Sequence, residues 1–251
     1  MRTLIVSDLH LDPIDPARYT AAIKAIGQVS CDQLILAGDV FEAWVGTDGA
    51  TSADIGFLEH MGRLAASCVL IPGNRDFLLN QDWLSQFGIQ YQTHLVTADA
   101  LVIHGDELCT DDHAYQTFRA EVRAPQWQAA FLAKPLDERQ AIADGLRAAS
   151  RETQANRPES IGDAVDQTVD AVMQAHGVDV LIHGHTHRPA IHPLKAGLRA
   201  VTSDWTDSGI GIVLEVNDTI RRLESVLLGA KSTVLQAWSQ RNGTPEWKRN
   251  V

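Results

Sequence analysis

Three cysteines in 251 residues, Cys31, Cys68 and Cys109, are too few and too scattered for a disulfide framework. With no CxxC pair among them, they do not make a thiolate zinc site either, and a reducing compartment suits them. Positive charge is also scarce. Against 32 Asp and Glu stand only 21 Lys and Arg, a formal net charge of −11, which argues against broad electrostatic binding to nucleic acid. An anionic substrate is still admissible, because a bound cation reverses the sign of a site locally. No uninterrupted apolar run reaches membrane length, and the run ahead of Asp8 is too short for a signal peptide. The expectation is a cytoplasmic protein that meets a membrane, if at all, only at its surface. Internal repeats and low-complexity tracts are absent, and no protein partner is evident.

What is present is a series of short aliphatic runs at residues 3–6, 33–36, 69–71, 101–103 and 178–182, each ending in polar residues. Their length and β-branched content favour buried strands. Helical spacing at 17–26, 55–66 and 164–175 lies between several of them, and such alternation indicates an α/β layered protein. Residues 112–160 differ. They carry helical spacing broken by Pro125 and Pro135, no strand candidate, and arginines in balance with acidic residues. This stretch reads as a helical insertion, a lid, between the fourth and fifth strands of a single domain spanning 1–251. For the tail beyond Gly229, with Trp238 and Trp247, the sequence suggests no role.

The informative residues follow the runs. In order they are Asp8-Leu9-His10, Gly38-Asp39, Gly73-Asn74-Arg75-Asp76, His104-Gly105-Asp106 and Gly184-His185-Thr186-His187. Ligand sites in α/β folds gather at strand carboxyl ends, so five such endings can converge on one cleft. On an extended strand Asp8 and His10 would share a face, and so would His185 and His187. The donors are oxygen and imidazole nitrogen without thiolate, which suits Mn, Fe or Zn more than Ca or Mg. A carboxylate such as Asp39 can bridge two ions. In two-metal sites the ions sit roughly 3.5–4 Å apart, clamp the attacking and leaving oxygens of a displacement, and lower the pKa of bound water. A lone Asp or His at a strand end is more often a cap or turn residue; five matching endings in order outweigh that reading.

These motifs, in this order, resemble the calcineurin-like metallophosphoesterase superfamily. The resemblance implies a four-layer α/β/β/α sandwich in which Asp8, His10, Asp39 and His187 hold one metal, and Asp39, Asn74, His104 and His185 the other. Longer stretches (38–44, 74–79, 104–112 and 184–190) are similar to the UDP-2,3-diacylglucosamine hydrolases, the pyrophosphatases of Gram-negative lipid A synthesis. The likeness runs from Met1 to about Glu224. It implies hydrolysis of an acid anhydride: water activated by two Mn2+ per chain attacks the α-phosphorus of UDP-2,3-diacylglucosamine, releasing UMP and 2,3-diacylglucosamine 1-phosphate (lipid X). The partners implied are a lipid-linked nucleotide sugar and the cytoplasmic surface of the inner membrane. Catalysis would fall on Arg75, Asp39 and His104. Substrate contacts would fall on Asn74, Arg75, Asp112, Ser150 and His185, with Gln154 where the family has a residue such as Asn and Arg157 where Lys is usual. After Trp44 the family commonly continues Ile-Gly-Asp-Asp, whereas this chain has Val45-Gly46-Thr47-Asp48.

By pattern alone, Trp127, Phe131, Leu132, Leu136, Ile142 and Leu146 make the buried face of amphipathic helices packed on the body. The resemblance turns that face into an acyl-chain groove, with interleaved arginines to hold phosphate. His183 reads either as a residue orienting its neighbours or as a satisfied core histidine. Phe77-Leu78-Leu79 reads as core, and His60, His94, His113 and His176 as surface. Two other functions stay open: a dinuclear phosphoesterase acting on nucleotides or phosphodiesters, and a metal-free interaction module on the same fold. The Cys109-Thr110-Asp111-Asp112 motif and the arginine-bearing insertion count against the first. Retention of every ligand-type residue counts against the second.

Overall fold

The computed structural model describes every residue except 157, 158, 207 and 230, and every other side chain except those of 151, 153–156, 159 and 160. The first three aliphatic runs form β1 (Arg2–Val6), β2 (Gln33–Leu36) and β3 (Ser67–Leu70). Helices link them. In α1 (Pro16–Ile26) the proline occupies the first turn, where its fixed φ suits the helix and its missing N–H has no partner to lose. A reciprocal capping box between Thr51 and Asp54 starts α2 (Ser52–Leu64). The single turn α3 (Gln81–Leu84) then leads to β4 (Ile89–Tyr91), and all four strands pair in parallel.

A second sheet begins with β5 (Leu95–Thr97) and β6 (Ala100–Val102) and continues in β7 (Val180–His183). Between β6 and β7 lie α4 (His113–Val122), α5 (Pro125–Leu132), α6 (Leu136–Asn156) and α7 (Asp166–His176). The chain finishes with β8 (Ala190–Leu194), β9 (Gly197–Val201), β10 (Gly209–Val216), β11 (Ile220–Leu228), β12 (Thr233–Arg241) and β13 (Trp247–Arg249). The eight-stranded sheet runs β13-β12-β11-β10-β1-β2-β3-β4, and the five-stranded sheet runs β5-β6-β7-β9-β8.

Successive strand residues face opposite sides of a sheet, and here they sort into three cores. Leu4, Leu34, Leu36 and Leu70 pack with Tyr19, Ile26, Phe57 and Met61 beneath α1 and α2. Their neighbours Ile5, Ile35 and Val69 meet Val102, Val180 and Ile182 between the sheets. Leu101 and Leu181 face Val169 and Met173 of α7. Three apolar interfaces make four layers, the α/β/β/α sandwich expected.

β2 matches its aliphatic run, and the other four strands differ from theirs by one or two residues at their ends. The tail has a role that the sequence did not suggest: β12 and β13 close one edge of the large sheet. Arg221, Gln240 and Trp247 all donate to the Asp179 carboxylate, at 2.7, 3.0 and 3.2 Å, and so tie that edge to the second sheet. Among the described residues, no helix is long and apolar enough to cross a membrane. The Val45–Asp48 stretch receives the start of α6: buried Arg139 donates to Val45 O and to both Asp48 carboxylate oxygens.

Candidate metal centre

Five strand ends deliver their loops to one place because the loops are hydrogen-bonded to one another in pairs. Beyond β1, the N–H groups of Asp8, His10 and Leu11 donate to Gly38, Asp39 and Val40 carbonyls at 2.9, 3.0 and 2.9 Å. Buried Asp76 accepts from Gly73 N–H at 2.7 Å and Val40 N–H at 2.8 Å, joining the third loop to the second. Gly184 N–H donates to His104 O at 2.9 Å, joining the fifth to the fourth. His185 N–H donates to the Asp8 carboxylate at 3.1 Å, joining the fifth loop to the first.

The local conformation differs from the strand geometry expected. Asp8 and His10 do not share a strand face, because β1 ends at Val6; His185 and His187 lie beyond the end of β7. Asp8, His10, Asp39, His185 and His187 all adopt left-handed backbone, with φ of 54°, 46°, 51°, 62° and 53°. Few non-glycine residues do so. Glycines at two positions allow the loops to touch: a Cβ on Gly73 would lie 2.1 Å from Asp39 Oδ1, and one on Gly184 2.1 Å from Asp8 Oδ2.

All seven expected ligand residues come together. Among the described residues, ligand atoms of Asp8, His10 and His187 lie within 4.8 Å of one another, as do those of Asp8, Asp39 and His104. Asn74 Oδ1 lies 3.0 Å from His104 Nε2 and 2.9 Å from His185 Nδ1. His104 Nδ1 donates to Ala37 O at 3.0 Å, which turns Nε2 toward Asn74 and Asp39. His187 Nε2 is 3.2 Å from Asp8 Oδ1. The donor set fits divalent cations, and one detail supports it: buried His10 Nε2 has no hydrogen-bond partner. The other ring nitrogen, Nδ1, is 3.1 Å from Glu42 Oε2.

The field also favours a cation. Burial by itself would raise the Asp8 carboxyl, but the hydrogen bond from His187 and the charges of His104, His187 and His10 hold it well below the usual carboxylate range. Burial would lower His104, yet Asp39, Asp8 and Asp106 push it up to about 9. His185 is pushed down to about 4 by burial and by His104. His183 is the satisfied, orienting histidine: Nδ1 donates to Gly184 O at 2.8 Å and Nε2 accepts from Arg199 Nε at 2.9 Å. Burial and Arg199 push it down to about 3.

A cavity of about 380 Å3 opens from this cluster. Its walls include His10, Asp39, Asn74, Arg75 and His185 of the cluster and Phe118, Trp127, Phe131 and Leu146 of the helical stretch. Asp112 and Ser150, expected substrate contacts, line it too. The side chain of Gln154 and the whole of Arg157 lie outside the described residues. The apolar lining is narrower than expected. Leu132 and Leu136 are exposed and Ile142 packs toward the body, so these three do not line the cavity. Phe77 and Leu78 both line it while packing with the core, and Leu79 lies in the core alone.

The sequence reading missed Glu42 and Arg147. The Glu42 carboxylate lies 3.7 Å from Arg75 and 3.6 Å from Arg147 of α6. Burial raises its carboxyl, and His10, Arg75 and Arg147 together bring it below the usual range. Glu42 stands inside the 38–44 motif, so its position was a signal; its distant partner on α6 left none.

A model of the calcineurin-like phosphoesterases matches residues 1–189. A UDP-2,3-diacylglucosamine hydrolase of Stenotrophomonas maltophilia is 41% identical over 230 residues, covering 83% of this chain and 93% of that one. Another, from Xanthomonas campestris, is 40% identical over 249 residues, covering 91% and 100%. Among solved structures, Vacuolar Protein Sorting 29 from Cryptosporidium parvum superposes with a TM-score of 0.53 at 10% identity, covering 96% of this chain and 98% of that one, a likeness of fold alone. The chain belongs to the calcineurin-like phosphoesterase family, alongside the UDP-2,3-diacylglucosamine hydrolases.

Proposed function

We propose that this protein hydrolyses the diphosphate of UDP-2,3-diacylglucosamine to UMP and 2,3-diacylglucosamine 1-phosphate, with two Mn2+ per chain. The observation that carries this reading is the continuity of the cavity, from the Asp and His cluster to an apolar groove under α4–α6. A nucleotide or a simple phosphodiester has no use for that groove; a diacylated sugar diphosphate does. The names of the relatives support the same substrate.

Asp8, His10, Asp39 and His187 would hold one ion, and Asp39, Asn74, His104 and His185 the other. When bound, the pair would neutralise phosphoryl charge and lower the pKa of water. The chain's own groups do the rest. Arg75 reaches the cavity beside the cluster, where its planar guanidinium suits phosphoryl oxygens and the charge that develops on them. Asn74 and His185 line the same cavity, and His104, fixed by Ala37 O, keeps Nε2 aimed toward Asn74. Asp112 and Ser150 line the same cavity and would contact the substrate there, with Gln154 and Arg157 as further proposed contacts. Trp127, Phe131 and Leu146 shield the acyl chains from water.

Residues 112–160 then serve as a lid within one domain. Phe118, Leu132 and Leu136 are exposed on it at 36%, 42% and 39%, apolar side chains suited to a peripheral site on the cytoplasmic face of the inner membrane. The test is direct: incubate the protein with Mn2+ and UDP-2,3-diacylglucosamine and follow UMP. Release of UMP is expected. Turnover of bis-p-nitrophenyl phosphate without turnover of the lipid substrate would leave a phosphoesterase of another specificity.

A further inference from the structure

Helix α4 lies against the metal centre, and its contacts converge on one carboxylate. Asp106, 1% exposed, accepts on Oδ2 from Tyr115 OH at 2.7 Å, Arg119 Nε at 2.7 Å and Arg123 Nη2 at 3.2 Å. Its carbonyl accepts from Gln116 Nε2 at 2.8 Å. Residues 115, 116, 119 and 123 recur at helical spacing and so present one face of α4 and its C-terminal end. The same side chains reach two further loops. Arg123 Nη2 also donates at 2.9 Å to the carbonyl of Gly73, the residue before Asn74. The Tyr115 ring lies tilted against that of His185, with centroids 5.7 Å apart. The opposite half of the cluster is held by other groups: Ser7 bonds to Asp8, and Arg18 donates to His10 O at 3.2 Å.

We propose that Asp106 is a positioning residue for the Asn74, His104 and His185 half of the metal centre, clamping α4 so that the helix holds those three loops in register. This rests on the two-ion reading given above. A guanidinium can satisfy a carboxylate and a carbonyl at once, which a point charge does less well. Groups that orient metal ligands without touching the metal are worth roughly 10–100-fold in affinity when lost. Removing the clamp therefore weakens one ion and spares the other.

The experiment is a calorimetric titration of Mn2+ into the metal-stripped full-length chain, for wild type, Arg123→Gln and Tyr115→Phe. Wild type is expected to take up two equivalents. In Arg123→Gln one equivalent weakens by about tenfold or more while the other is retained, and high Mn2+ restores turnover. Tyr115→Phe keeps the ring and the fold, so it guards against a collapsed Arg123 variant; it shows a smaller loss at the same equivalent. Equal weakening of both equivalents, or two unchanged equivalents with only a lowered Tm, would make Asp106 a structural residue and overturn the proposal. Fewer than two equivalents in wild type would bring down the two-ion reading itself.

Discussion

Left-handed backbone at a residue with a Cβ costs roughly 1–2 kcal/mol, and the loops of this protein bear that cost at five of the residues expected to hold metal. Such strain persists where the surroundings over-determine it, as the paired loop hydrogen bonds do here. Asp39 is the sharpest test. Its Oδ1 accepts from Arg75 N–H at 2.8 Å, a bond that an asparagine oxygen can also accept, so Asp39→Asn removes charge with little change of shape. Turnover should fall by more than the roughly 10–100-fold that follows loss of an orienting partner, with metal content reduced at both sites. Near-normal turnover at saturating Mn2+ would take Asp39 out of the bridging role. Arg75 separates differently, because its main chain rather than its side chain touches Asp39. Arg75→Ala should lower kcat by about 10²–10³, the usual loss of one preorganised donor, while metal analysis stays at the wild-type value. Parallel loss of metal would make the guanidinium structural. The identity of these residues was legible in the sequence because the motifs carry chemistry. Their conformation was not: strand periodicity put Asp8 and His10 on a common face, whereas turns beyond Val6 direct them.

At the scale of elements, strands were readable where both faces are buried and the run is continuously aliphatic, and helices where one face is buried and the other is not. The runs at 33–36 and 17–26 became β2 and α1 almost unchanged. The tail was opaque for a physical reason. β12 lies near the edge of its sheet, and its sequence, Thr-Val-Leu-Gln-Ala-Trp-Ser-Gln-Arg, buries only Ala237 and Gln240, so no apolar alternation advertises it. The helical insertion was readable as helices, but its use depends on the cavity beneath it. If Trp127 and Phe131 line an acyl groove, polar substitutions there act on the substrate that has acyl chains. Trp127→Gln and Phe131→Gln should impair hydrolysis of the diacylated substrate, in kcat as well as KM, because remote contacts contribute to reaching the transition state. Slow hydrolysis of bis-p-nitrophenyl phosphate, which needs only the metal centre, should scarcely change. The ratio of the two rates is the informative quantity. Equal loss on both substrates would mean that the stacked rings, 4.9 Å apart, hold the fold rather than the substrate.

For the whole molecule the candidate metal centre would also be a structural joint. Its candidate ligands come from loops after β1, β2, β3, β6 and β7, so both sheets contribute, and ions bound there would tie one sheet to the other. In their absence, the Asp8 and Asp39 carboxylates face each other in a buried site, inside a chain that already carries a net charge of −11. Ions that bind only the folded chain stabilise it by mass action, about 2.7 kcal/mol for each ion present at a hundred times its Kd. For a chain of this size, 1 kcal/mol moves Tm by roughly 2–4 °C. Two ions removed by excess chelator should therefore lower Tm by about 10–20 °C, and titrating Mn2+ back should restore it progressively. Asp39→Asn, with both sites weakened, should start near the chelated value and respond little to chelator. The measurement needs no substrate, so it bears on the metal centre independently of the reaction. A Tm indifferent to both chelator and Mn2+ would mean that the loops are held by their own hydrogen bonds alone, and the residues that bear the backbone strain would need another explanation.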